Sequence, residues 1–250
     1  EDVPGDVKNL KVALSSDPME VKVDWEAPGT VGFHGGYADP ESMKYYLVVK
    51  KSGAEKWTRF DPQPECGLTL SLVDTYEQTL TQFGIMTENR KGSAQKWEPT
   101  DITCGKAYTL PMRENFVTGR PNYNTVVLQR PTEEYTGTGG YADPSTLKPE
   151  YEVPGNTVLG LMPPADGKPG KARVELPYFS TMGAKKPAIV FQALIDPDIT
   201  AQADVYIRTY GKEPVKIGSW NASTPGKGYT PLAFELPAEF MGKKWVHCFI

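Results

Sequence analysis

Proline and glycine punctuate this chain from end to end, and that spacing limits its fold more than any motif does. There are 23 prolines and 24 glycines among 250 residues, and proline at this level is about twice its usual frequency. Both residues fall between short apolar stretches. A proline inside a helix removes a hydrogen bond and clashes with the preceding turn, so the chain cannot hold many long helices. Short strands joined by Gly/Pro turns are what such a sequence can build. The strands show as period-two patterns: Val21, Val23 and Trp25 alternate with Lys22, Asp24 and Glu26, the mark of a half-buried strand. Further stretches, KYYLVVKK, KWTRFD, GLTLSLV, TLTQFGIMTEN and TDITCGKAYTL, bring the first part to about seven strands, the number of an immunoglobulin-like sandwich.

The second part reads the same way. NTVVLQRP, GNTVLGLMPP, GKARVEL, ADVYIRTYGKEPVKIGSW, YTPLAFELPAEF and KKWVHCFI are short strands or hairpins, and AEFMGKK suits one helical turn. In residues 188–195, Ala188, Val190, Gln192 and Leu194 share one face, and Ile189, Phe191, Ala193 and Ile195 the other. That pattern predicts a central strand buried on both sides. The expected fold class is all-β, with two β-sandwich domains at 1–107 and 108–250.

Two resemblances refine this. VPGDVKNLKV, VKVDWEAP, KYYLVVKK and TENRKGSA make residues 3–107 resemble a fibronectin type III domain. The resemblance implies that Trp25, followed by Pro28, is the core tryptophan. It places Phe83, Ile85, Thr87, Asn89, Gly92 and Ser93 at that family's characteristic positions near the end of the domain. Its tyrosine position is held here by Thr81, so the corner hydrogen bond is lost or replaced. Residues 108–250 are similar to the jelly-roll, galactose-binding-like modules of bacterial surface proteins of the cleaved-adhesin and choice-of-anchor type. The likeness lies in LPMRENFVTGRP, ARVELPYFSTMGAKKPAIVFQAL, DVYIRTYGKEPVKIGSW and YTPLAFELPAEFMGKKWVHCFI. Those modules often carry calcium and normally have one or two more strands after this point.

The hexapeptide GGYADP occurs twice, from Gly35 and from Gly139, 139 − 35 = 104 residues apart. Tandem domains are one reading. Against it, Trp25 has only Gln129 at the same spacing. A turn used twice is the other reading. Gly-Gly permits positive φ, Asp-Pro sets a second turn, and the tyrosine folds over apolar surface with its hydroxyl in water.

The chemistry-bearing residues are few. Lys+Arg 27 against Asp+Glu 31 gives a net charge of −4 with no basic block, so nucleic acid is not an expected partner. No apolar run approaches a membrane-spanning length. The chain opens at Glu1 rather than Met, as a processed or trimmed chain does, so the missing signal peptide carries no information. Cys66, Cys104 and Cys248 read as three free thiols, with a Cys66–Cys104 pair as the alternative. Gly137 to Ala142 satisfies G-x-G-x-x-A, but Asp143-Pro144 and Pro149 follow, and a nucleotide site needs a helix there. His34 lies in a loop. His247 sits beside Cys248, and neighbours on a strand face opposite ways, so they form no catalytic dyad and His247 reads as structural.

Two binding sites are candidates. Asp196, Asp198 and Asp204 form the densest acidic stretch, which suits a calcium ion or is a solvated turn. Trp220 and Asn221, with Tyr229 across a glycine-containing loop and Tyr141 in the second hexapeptide, offer an aromatic platform for a sugar face; for Trp220 the alternative is a packed rim residue. Trp57 and Trp97 are weaker candidates, and Asn221 to Ser223 fits an N-glycosylation pattern. No catalytic motif emerges. The expectation is a non-enzymatic, monomeric, secreted or cell-surface bacterial protein that binds carbohydrate or another extracellular ligand and does not insert in a membrane. The competing reading is an accessory or spacer region of a secreted hydrolase.

Overall fold

The computed structural model describes residues 1–94, 97–115, 127–128, 133–142, 158–164, 166–196, 200–221 and 229–250. The chain divides into two compact units, Glu1–Lys106 and Ala107–Ile250. Both are built from antiparallel strands.

In the first unit, β1 (Lys8–Leu14), β2 (Glu20–Glu26) and β5 (Leu68–Ser71) form a three-stranded sheet in the order β1-β2-β5. The second sheet runs β4 (Thr58–Gln63), β3 (Lys44–Lys51), β6 (Thr79–Asn89), β7 (Gly92–Ser93), and β8 (Thr100–Cys104) also pairs with β6. The two sheets face each other as in the immunoglobulin-like sandwich. Val21, Val23 and Trp25 from one sheet pack with Tyr45, Leu47, Val49, Phe83 and Ile85 from the other. Phe83, Val21 and Val23 are fully buried. Beside Thr81, at the start of β6, Tyr76 arrives from the preceding loop. Its hydroxyl lies 3.0 Å from the Thr81 hydroxyl, and burial pushes its pKa up to about 12.

Strand β3 is buried on both faces. Its outward residues Tyr46 and Val48 meet Met86, and Trp57 and Trp97 pack over them. The two indoles meet edge to face at 6.2 Å and 84°. This covering layer depends on a bare backbone at Gly84. A Cβ there would lie 2.6 Å from Cδ1 of Trp97 and 3.2 Å from Val48 Cγ2.

In the second unit, β15 (Val215–Asn221), β14 (Gln202–Arg208), β17 (His247–Phe249), β12 (Val174–Glu175) and β9 (Val127–Leu128) form a five-stranded sheet in that order. Its inner face, with Val205, Ile207 and Cys248, packs on Ile189 and Phe191 of β13 (Ala188–Ala193) and Phe234 of β16 (Thr230–Glu235), with Phe240 and Val246 completing the core. β13 and β16 pair with each other, as do β10 (Thr138–Ala142) and β11 (Val158–Met162). The side chain of Phe234 sits where a Cβ on Gly218 would be. Two threonines tie in the chain after β16: Thr181 Oγ1 donates to Phe240 O at 2.7 Å, and Thr209 Oγ1 to Trp245 O at 2.7 Å. The expected helical turn is a 3-10 turn, Ala238–Phe240.

Three expectations change. β13 is half-buried rather than buried on both sides: Ala188, Val190 and Gln192 face outward, and Val190 is 68% exposed. Among the described residues β13 has one strand partner and packs on one face only. The second GGYADP is not a turn, because Gly139 to Ala142 lie in β10, with Gly140 opposite Gly160; Asp143 and Pro144 lie outside the described residues. The first GGYADP is a turn, with Gly35 at φ 87° and Asp39 capping the 3-10 turn Pro40–Ser42, but Tyr37 is exposed rather than folded over apolar surface. All three cysteines are free thiols, with Cys66 exposed and Cys104 and Cys248 buried. No helix among the described residues is long and apolar enough to cross a membrane.

The Gly84–Trp97 contact gives a direct test. Gly84→Val is expected to lower stability by about 1–3 kcal/mol, since inserted carbons in a packed layer force their neighbours to move. Urea unfolding should show a smaller loss for the same change in a Trp97→Ala background, because the two sites share one contact.

Candidate functional site

The connection between β2 and β3 is the most elaborately fixed loop of the first unit, and Asp2 fixes it. The Asp2 carboxylate accepts N–H bonds from Val3 (2.8 Å), His34 (2.7 Å) and Gly36 (3.1 Å). It also meets Nδ1 of His34 at 2.8 Å. The imidazole and these backbone donors hold its pKa at about 2, well below the usual value of 3.8. Backbone bonds run alongside: Asp2 N–H to Tyr37 O at 2.7 Å, and Phe33 N–H to Val3 O at 3.0 Å. Asn89 Nδ2 donates to Asp2 O at 2.7 Å, which ties this segment to β6. The loop closes on itself through the Val31–Tyr37 bridge. Gly32 must be glycine here, since a Cβ would lie 2.5 Å from Val3 O. With the backbone held, the side chains project: Val31 is 66%, Phe33 48% and Tyr37 59% exposed.

The residues singled out from sequence are placed differently. Trp220 is not in a loop. It lies in β15 and packs into the core of the second unit, edge to face with Phe191 at 5.2 Å; Nε1 is buried without a hydrogen-bond partner among the described residues. Asn221 ends β15, exposed and paired across the ladder with Gln202. Tyr229 is half-buried just before β16, and burial raises its hydroxyl pKa. Tyr141 pairs with Leu159 between β10 and β11. The strand turns the Trp220 indole toward the core. Asp204 is in β14, not in a loop. Its Oδ1 accepts from Gln202 Nε2 at 2.8 Å and lies 3.5 Å from Lys216 Nζ. The Lys216 ammonium therefore lies where a cation bound to Asp204 would sit. Asp196 precedes the residues 197–199, and Asp198 lies outside the described residues. Among the described residues no group of three His, Cys, Asp or Glu is placed to hold a metal ion.

The outer face of the five-stranded sheet holds a charged cluster that sequence reading did not assemble. Arg173 Nη2 meets Glu175 Oε1 at 2.9 Å. Glu175 Oε2 lies 3.5 Å from His247 Nε2. His247 Nδ1 accepts from Arg208 Nε at 3.3 Å and lies 3.2 Å from Nη2. The histidine side chain is 7% exposed. Burial, then Arg208 and Arg173, push its pKa down from 6.5 to about 3, so the ring is neutral at pH 7. The Arg208 pKa is lowered by burial as well. The signal was there in VYIRT, WVHCF and ARVEL: alternation turns Arg208, His247 and Glu175 out when Ile207, Cys248 and Val174 turn in.

No protein-family model matches this chain, and no curated protein does. Solved structures similar to it include the rat CD45 extracellular region, domains d3–d4, at 19% identity and TM-score 0.31 over 40% of this chain and 49% of that one. The FN5 domain of Drosophila Lar is 15% identical, with TM-score 0.30, over 42% of this chain and 100% of that one. The chicken CNTN1 FN1–FN3 domains are 10% identical, with TM-score 0.33, over 94% and 68%. The chain thus spans about half the length of the CD45 fragment.

Two outcomes follow from these geometries. Asp2→Ala removes the acceptor for three amides, and hydrogen exchange should show the Val3, His34 and Gly36 N–H groups losing protection while β6 keeps its own. For His247, an unfolded imidazole takes up a proton below about pH 6.5 and the folded one only near 3. The unfolded state therefore binds more protons in that window, and stability is lost as pH falls through it. The urea midpoint should drop between pH 7 and pH 4.5, and the drop should shrink in His247→Gln.

Proposed function

We propose that this chain is a non-catalytic binding region of an extracellular or cell-surface protein, and that loop 30–39 is the surface with which it grips a protein partner. The observation that carries this is the combination of exposure and restraint. Val31, Phe33 and Tyr37 present apolar and aromatic surface to solvent from a backbone that Asp2 pins at several points. A loop whose backbone is held in place before binding loses less entropy on contact. Exposed aromatic anchors with apolar neighbours are what protein interfaces use at their centres. His34 and the Gly36 N–H are bonded to Asp2, and Val31, Phe33 and Tyr37 remain for the partner.

The second unit, on this reading, is a jelly-roll-like companion that contributes a separate binding face. A role as the accessory or spacer part of a secreted hydrolase is the competing reading, and the two separate on one experiment. The intact chain is immobilised and tested against a panel of extracellular matrix and cell-surface proteins by surface plasmon resonance, beside the triple variant Val31→Ser, Phe33→Ser, Tyr37→Ser. We expect at least one specific partner whose affinity falls by about 2–4 kcal/mol in the variant, with circular dichroism unchanged. A partner that binds the variant equally well would remove the loop from the interface, and silence across the panel would favour the spacer.

A further inference from the structure

The charged cluster of the second unit has an imbalance that the fold does not resolve. Strand register fixes its layout. Arg208 of β14 stands opposite His247 of β17, and Tyr206 opposite Phe249, with Glu175 of β12 on the far side of Phe249. Tyr206 and Phe249 stack at 5.4 Å and 7°, and the Arg173 guanidinium lies 3.9 Å over the Phe249 ring. Among the described residues the two guanidiniums therefore share a single carboxylate, and Glu175 makes its direct contacts with Arg173 and His247. Arg208 is left with a neutral imidazole as its hydrogen-bond acceptor.

A guanidinium carries five N–H donors in a planar fork. Nε and one donor of Nη2 converge on His247 Nδ1, and the remaining donors of Arg208 have no acceptor among the described residues. None of its nitrogens is sealed from solvent without a partner, whereas Arg173 Nε is. So Arg208 is half-buried, feels Glu175 only at a distance, and has no direct carboxylate contact among the described residues. The group that matches an open guanidinium fork is a planar carboxylate, taken through two parallel N–H···O bonds. Hydrogen bonding to His247 and the flanking strand hold the fork in place before anything binds.

We propose that Arg208 anchors a carboxylate site on this face, and that its ligand is an acidic sugar of the uronic-acid type. A sugar acid carries hydroxyl donors next to its carboxylate. The face offers both complements: open donors on Arg208, and on Glu175 carboxylate oxygens with spare lone pairs. Tyr206, half-buried and held flat by its stack on Phe249, gives the apolar side of the ring a wall. The proposal is independent of loop 30–39, which belongs to the other unit.

The test is a titration of the intact chain with glucuronate, glucose, acetate and a glutamate-rich peptide, followed by NMR at the Arg208 Nε–H and the His247 ring. We expect saturable shifts with glucuronate that weaken as salt is raised, none with glucose, and weaker ones with acetate and the peptide. Arg208→Lys keeps the charge but loses the fork, and should weaken glucuronate binding about tenfold. Arg208→Gln should abolish it. If Arg208→Gln does not fold, the lysine variant and the ligand-induced shifts of the unaltered chain decide. Absence of saturable shifts overturns the site. Acetate or the peptide binding as tightly as glucuronate overturns the sugar assignment, and an unchanged affinity in Arg208→Lys overturns the anchor.

Discussion

Hydrogen bonds between strands carry the burden that helices carry elsewhere. Prolines as frequent as these leave little room for long i to i−4 ladders, so a buried backbone finds its partners on neighbouring strands. The longest ladder sets the first unit: all eight residues of β3, Lys44 to Lys51, pair with β6 from Glu88 to Thr81. Those two strands hold Leu47, Val49, Phe83 and Ile85 in the core, and their other faces must then be covered too. Trp57 and Trp97 do that on the outside, at the requirement of glycine at position 84. In the second unit the same need brings β17 between β14 and β12, and this places His247 beside Arg208 and Phe249 beside Glu175.

Much of the architecture was legible because strand alternation is a local signal. Val21, Val23 and Trp25 announced an inner face, and they form one. The alternation of 188–195 was read for too much: a residue pattern reports which side chains are apolar, not how many layers are stacked on them, and Val190 ended exposed. GGYADP is a turn in one copy and a strand in the other, for a related reason. Two glycines have little conformational preference of their own, so neighbours decide: Asp2 bends the first copy and β11 straightens the second. The glycine-rich flank of Trp220 suggests a loop, whereas its own position in β15 turns the indole toward the core.

The candidate sites were hardest to see because their members are far apart in sequence. Asp2 acts on His34 and Gly36 across more than thirty residues, and nothing in the local pattern around it marks a clasp. Arg208 and His247 lie in separate strands, 39 residues apart. Each belongs to a stretch that reads as an ordinary half-buried strand, and only the pairing of β14 with β17 makes them a unit.

The edge-to-face indoles of Trp57 and Trp97 give the first unit an optical property as well as a cover. Two such chromophores 6.2 Å apart couple their strong ultraviolet transitions, and a coupled pair produces a signed doublet in the far-ultraviolet circular dichroism. Trp25 sits in the core between the sheets instead. The outer layer of the sandwich therefore reports its own integrity by a band distinct from the backbone signal, without any label.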